Sequence, residues 1–169
     1  KKGWGSYQFA NYDELADSPF EIASAWEGSF KVRGAHHRLV VSGAASSFDG
    51  ERLLADTQKI VQAEIDFWHP GKTKPPFEDY VFLLNTVDDG YGGLEHAHST
   101  ALLASRKDLP RPRSRLGAWR AGEGYTTLLG LISHEYFHTW NVKRLRPKEF
   151  ARYHYAQENY TELLWFFEG

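Results

Sequence analysis

The 169-residue chain contains no cysteine and no methionine. Without cysteine it can form no disulfide, no thiolate metal site and no cysteine nucleophile, although this leaves its compartment open. It also lacks any excess of charge: 20 Lys and Arg stand against 22 Asp and Glu, for a formal net charge of −2. Such a balance does not drive binding to nucleic acid or to an anionic lipid surface, and neither is expected as a partner. Long apolar runs are missing as well. The run Leu163-Leu164-Trp165-Phe166-Phe167 falls far short of the roughly 20 residues that span a bilayer, so no membrane insertion is expected. No secretory leader is visible, and the chain opens on Lys1-Lys2 rather than methionine, so its natural start is expected upstream.

What is present is enough for one domain with a real core. Residues 1–48 read as a β-rich, irregular lead-in, with a turn at Asp17-Ser18-Pro19 and strands on either side of Gly34 carrying Phe30, Val32, Leu39 and Val41. Asp49 is placed to cap a helix that runs to about Trp68, with Leu53, Leu54, Ile60, Val61, Ile65 and Trp68 at helical spacing. A short strand is expected over 80–87. Asp88-Asp89-Gly90-Tyr91-Gly92-Gly93 then reads as a turn, 94–100 as an edge strand and 105–124 as a loop. A helix follows, then a loop near Pro147 and a second helix from about Glu158.

The most informative residues lie in the first of these last two helices: His134-Glu135-Tyr136-Phe137-His138. A helix turns about 100° per residue, so histidines at i and i+4 share a face and can hold one Zn²⁺. Glu135 lies beside that face, where its carboxylate can take a proton from an activated water. Chance alone can produce this pattern, but here Leu128, Leu129, Leu131, Ile132, Tyr136 and Phe137 mark the helix as buried. Buried polar groups need partners, and a metal supplies one.

A catalytic zinc takes three protein ligands and keeps one open position. The later carboxylates are Glu158, Glu162 and Glu168. Glu158 stands in a polar stretch that water can solvate. Glu168 follows an apolar run, and an ionised carboxylate in apolar surroundings needs a counter-charge. Glu168 is therefore the favoured third ligand, Glu158 the alternative, and Glu162 an outer or surface residue.

Several segments together resemble the glycyl aminopeptidase family of zinc peptidases. These are Gly92-Gly93-Leu94-Glu95-His96, the run from His134 through Thr139-Trp140-Asn141-Val142-Lys143-Arg144, and Glu158-Asn159-Tyr160-Thr161 with Leu164-Trp165-Phe166-Phe167-Glu168-Gly169. Tyr12-Asp13-Glu14-Leu15 with Asp17-Ser18-Pro19 resembles the same family's lead-in. The resemblance implies a gluzincin: an α+β, thermolysin-like catalytic domain whose third metal ligand is a glutamate, here Glu168. It implies that residues 1–48 lead into the catalytic domain and that 49–169 are its front part, with a catalytic tyrosine expected beyond Gly169. Family members usually add an N-terminal β-sandwich and a C-terminal PDZ domain. The implied activity is removal of small N-terminal residues, glycine or alanine, from peptides with a free N-terminus. In that setting Glu95 would hold the substrate ammonium and Glu135 would be the general base. An endopeptidase, with Glu95 merely structural, and a non-catalytic binding module are the competing readings.

The remaining histidines are read plainly. His36 and His37 are expected on the surface, and His69 and His154 have no partner at metal spacing. His96 and His98, two apart on the expected edge strand, would share a face and could line the substrate cleft; His96 is the candidate for substrate binding. Lys143, Arg144 and Arg146 read first as cations at a helix C-terminus.

Overall fold

Arg33 and Gly34 both have positive φ, 48° and 86°. They form the tight turn that folds Ala25–Val32 (β1) back on Ala35–Ser42 (β2), and such turns match the natural twist of a hairpin. Asp49 then accepts the Arg52 N–H at 3.0 Å and starts the long helix Gly50–Trp68 (α2). This helix carries the chain across to Asp79–Val87 (β3), which runs parallel to β2. Two further strands follow, Tyr91–Glu95 (β4) and Ser99–Ser105 (β5). The computed structural model describes residues 3–71, 73–112 and 121–168.

The five strands form one sheet in the order β1-β2-β3-β5-β4, with β2, β3 and β5 parallel and β4 at the edge. The second helix of the core, Glu123–Phe137 (α3), packs on α2, β4 and β5. Leu39, Val41, Phe82, Leu84 and Leu102 meet Leu53, Val61 and Ile65 of α2 and Leu128, Ile132 and Tyr136 of α3 in one core. The fold is a mixed α/β arrangement. Strands-then-helices holds only in part, since α2 lies between strands and the sheet draws β1–β2 from residues 1–48 and β3–β5 from beyond.

Four local expectations are corrected. The first concerns 94–100, which is not one edge strand: β4 ends at Glu95, and the chain turns through 96–98 into β5. Gly92 and Gly93 lie inside β4 rather than in a turn. A one-turn helix, Tyr12–Ala16 (α1), lies within residues 1–48, capped by Asn11, whose side chain accepts the Glu14 N–H. The helix expected from Glu158 does not begin until Leu164–Glu168 (α4), after a 3-10 turn at Lys148–Phe150. Asn159 explains the delay. Its side chain accepts the His154 N–H and donates to the His154 and Gln157 carbonyls, which competes with helix formation. Residues 113–120 of the expected loop, and Gly169, lie outside the described residues.

His37 is also not on the surface. It is fully buried, stacked on Phe30 with ring centroids 5.1 Å apart. His36, on the opposite face of β2, is half-exposed and 3.2 Å from Asp79.

Candidate metal centre

The pitch of α3 and its sudden end build the site. The helix buries Tyr125, Leu128, Leu131, Ile132, Glu135 and Tyr136 and stops at His138. One turn apart, the His134 and His138 rings face each other edge to face, and their Nε2 atoms are 3.0 Å apart. Immediately after His138 the chain reverses through Val142, which takes φ +149°. The reversal brings the Asn141 carbonyl to 2.8 Å from His138 Nδ1. A carbonyl can only accept, so Nδ1 carries a proton, and in the neutral ring this leaves the Nε2 lone pair for a metal.

Glu168 completes the set. Its Oε2 lies 3.3 Å from His134 Nε2 and 3.3 Å from His138 Nε2. The three donor atoms form a triangle with edges of 3.0, 3.3 and 3.3 Å. Donors about 2.0–2.1 Å from a tetrahedral ion are spaced roughly 3.3–3.4 Å apart, so two neutral imidazoles and one carboxylate fit Zn²⁺ in both chemistry and spacing. Glu158 and Glu162 are exposed and belong to no such group among the described residues.

The environment of Glu168 differs from the expected one. Its side chain is 48% exposed, and Leu164, Trp165 and Phe166 of α4 are exposed too, leaving only Phe167 buried. Burial therefore does not explain why Glu168 stands there. The backbone of α4 does, through the Phe166 and Phe167 N–H bonds to the Leu163 carbonyl.

A second convergence shares His138. Donor-capable atoms of Glu95, Glu135 and His138 all lie within 4.8 Å of one another. Glu95 ends β4, which runs close against α3. A Cβ built on Gly93 would lie 2.4 Å from the Glu135 carboxyl, so any larger residue there would force the Glu135 side chain from its present place. Glu135 is buried, and its Oε2 has no hydrogen-bond partner among the described residues. Burial pushes its carboxyl up to about 7; His138 opposes this, while the Glu95 and Glu168 charges add to it. That is the range in which one carboxylate can both take and return a proton at neutral pH.

His96 is held apart from this group. It is buried in the turn after β4 with Nδ1 3.3 Å from Asp17, while His98, two residues on, is exposed. The pair does not share a face, because the strand ends before either.

A cavity of about 360 Å³ opens beside the histidines, lined by Ser133, His134, Phe137, His138, Asn141, Phe166 and Phe167. A larger hollow of about 680 Å³ lies by Trp26, Phe48 and the start of α2. It contains no histidine, and the Asp49 side chain on its wall is committed to capping α2. The two histidines of the three-donor group line the smaller cavity.

Residues 127–169 match the family model described as M61 glycyl aminopeptidase. The chain is 43% identical to an aminopeptidase N family protein from Idiomarina loihiensis known from a crystal structure. The two superpose with a TM-score of 0.88 over 100% of this chain. The family-model match and the likeness to the Idiomarina protein together support the M61 glycyl aminopeptidase family. It spans 28% of the length of the Idiomarina protein. No curated protein matches it significantly.

Two features of the site escape a reading by motif. The Asn141 carbonyl is backbone and has no residue signature. Gly93 stands out in the sequence as part of a Gly-Gly pair, but its reason is contact with Glu135, 42 residues away in the chain, rather than a turn.

Proposed function

We propose that this protein is a zinc-dependent aminopeptidase with a thermolysin-like site, which removes small N-terminal residues, glycine or alanine, from peptides. The observation that carries the reading is the meeting of two carboxylates, Glu95 and Glu135, beside a three-donor tripod. On this reading residues 49–169 carry the metal-binding part of the catalytic domain and 1–48 lead into it. The M61 glycyl aminopeptidase match supports the small-residue preference.

His134, His138 and Glu168 would hold Zn²⁺, which when bound supplies a Lewis acid and a lowered water pKa. Glu135 accepts the proton of the attacking water and returns it to the leaving amine. Its burial and its position between α3 and β4 keep the carboxyl near neutrality and aimed at the reacting atoms. Glu95 takes the substrate's α-ammonium, and a charge pair in a partly dry cleft discriminates strongly against blocked N-termini. The exposed edge of β4 offers backbone groups to an extended peptide.

The test is a comparison of glycyl and N-acetylglycyl substrates in the wild-type protein and in Glu95→Ala. Leaving one partner of a desolvated pair costs about 2–5 kcal/mol, so the variant should lose well over tenfold on free N-termini alone. An unchanged free-to-blocked ratio would make Glu95 structural and favour an endopeptidase.

A further inference from the structure

The first basic residue after the metal helix is turned inward. The Lys143 side chain is only 7% exposed, and its Nζ lies 2.8 Å from Asp17 Oδ1. Asp17 closes α1, and its Oδ2 accepts the Ala97 N–H at 2.8 Å. Arg144 reaches the same turn: its guanidinium donates to the Ala97 carbonyl at 3.4 Å and to the Thr139 and Pro76 carbonyls, and it lies over the Phe77 ring. Ala97 is thus gripped at both its N–H and its C=O, two residues after Glu95.

The loop that supplies Lys143 and Arg144 also supplies the Asn141 carbonyl to His138 Nδ1. One short loop therefore holds a histidine of the tripod at one end and the turn behind Glu95 at the other. The second grip matters because β4 is an edge strand with a single neighbour, and its ladder with β5 ends at the Glu95–Thr100 pair. Beyond that pair the turn is closed by the His96 N–H bond to the Ser99 carbonyl at 2.9 Å, and the grip on Ala97 adds a tie from outside the sheet. A cation at a helix C-terminus would be satisfied by the last carbonyls, and one reserved for a substrate carboxylate would stay accessible. Lys143 does neither.

We propose that Asp17, Lys143 and Arg144 are positioning residues for amine recognition: they fix Glu95 at a set distance from the metal helix. The proposal rests on the reading of Glu95 as the amine anchor. Displacement of a binding group by about 1 Å can cost as much as 10²-fold, so loosening this clamp should be visible in binding of the amine alone.

Glycine hydroxamate and acetohydroxamate are suitable probes, since both carry the same chelating group and only the first carries an ammonium. Their affinities for the zinc-loaded protein would be measured by calorimetry in wild type, Lys143→Met, Asp17→Asn and Glu95→Ala, with zinc content checked for each. Asp17→Asn keeps an acceptor for the Ala97 N–H and serves if Lys143→Met does not fold. The expected result is a loss of roughly tenfold or more in the preference for glycine hydroxamate, with acetohydroxamate affinity unchanged. Lys143→Met should add nothing to the preference already lost in Glu95→Ala, and Lys143→Arg should restore part of it in the wild-type background. Parallel loss of both ligands, or no loss of preference, overturns the proposal. If Glu95→Ala itself keeps the preference, the amine-anchor reading fails. If Glu95→Ala loses it and Lys143→Met and Asp17→Asn do not, only the positioning role fails.

Discussion

The Tyr136 hydroxyl donates to His37 Nε2 at 2.8 Å, across 99 positions of the chain, and ties the metal helix to the second strand of the sheet. His37 Nδ1 is spent on the Ala35 carbonyl at 3.2 Å, so Nε2 is the acceptor and the ring is neutral. Burial is the main reason its pKa falls from 6.5 to about 4.

This gives a prediction about acid. In the unfolded chain His37 binds a proton near pH 6.5, in the folded one only near 4. Between these values the unfolded state holds more protons, so stability rises with pH. The contribution is complete above 6.5 and is lost as the pH falls towards 4, a change on the order of 3 kcal/mol. His37→Leu removes the titration and leaves the Tyr136 hydroxyl buried without a partner, at a cost of about 1–3 kcal/mol. Denaturant unfolding should show the variant less stable than wild type at pH 7 and the gap closing at pH 4. A gap independent of pH would mean that His37 is not held neutral.

Glu64 gives the opposite slope. It lies on α2, buried against α3, with Oε1 accepting from Ser133 at 2.8 Å and Oε2 without a hydrogen-bond partner among the described residues. Burial raises its pKa to about 8, against the smaller opposite effect of the Ser133 hydrogen bond. A raised folded pKa means that its stabilisation is present below about 4.5 and is lost as the pH rises through 8. Glu64→Gln should therefore be more stable than wild type at pH 9 and should lose that advantage at pH 5. Equal gains at both values would contradict a protonated Glu64.

Gly93→Ala tests the approach of β4 to α3. The new methyl would meet the Glu135 carboxyl at 2.4 Å, and Glu135 must move. Zinc should stay bound, while turnover falls by roughly 10²-fold. Near-wild-type kcat with glycyl substrates would show that Glu135 does not need its present position.

Much of this was legible in local chemistry. Asp49 announces α2, Gly34 the turn between β1 and β2, and the spacing of His134 and His138 their shared face on α3, because each signal lies within a few residues of what it controls. The burial of His37 was also readable: it stands two before Leu39 and four before Val41, and the pleat puts all three on the core face. The division of 91–105 into two strands was hidden, because glycine inside a strand looks like a turn unless the side chain behind it is known. Glu168 stands in the tripod, although the apolar burial that favoured it is absent. The Asp17–Lys143 pair had no signature at all, since its members lie on separate elements at the two ends of the chain.

The central claim is that His134, His138 and Glu168 hold one zinc ion. Anomalous diffraction at the zinc edge from crystals of the zinc-loaded protein tests it most directly. The account predicts one peak about 2.0–2.1 Å from His134 Nε2, His138 Nε2 and a Glu168 carboxylate oxygen. A peak held by another set of residues, or no peak in protein carrying stoichiometric zinc-competent histidines, would contradict it.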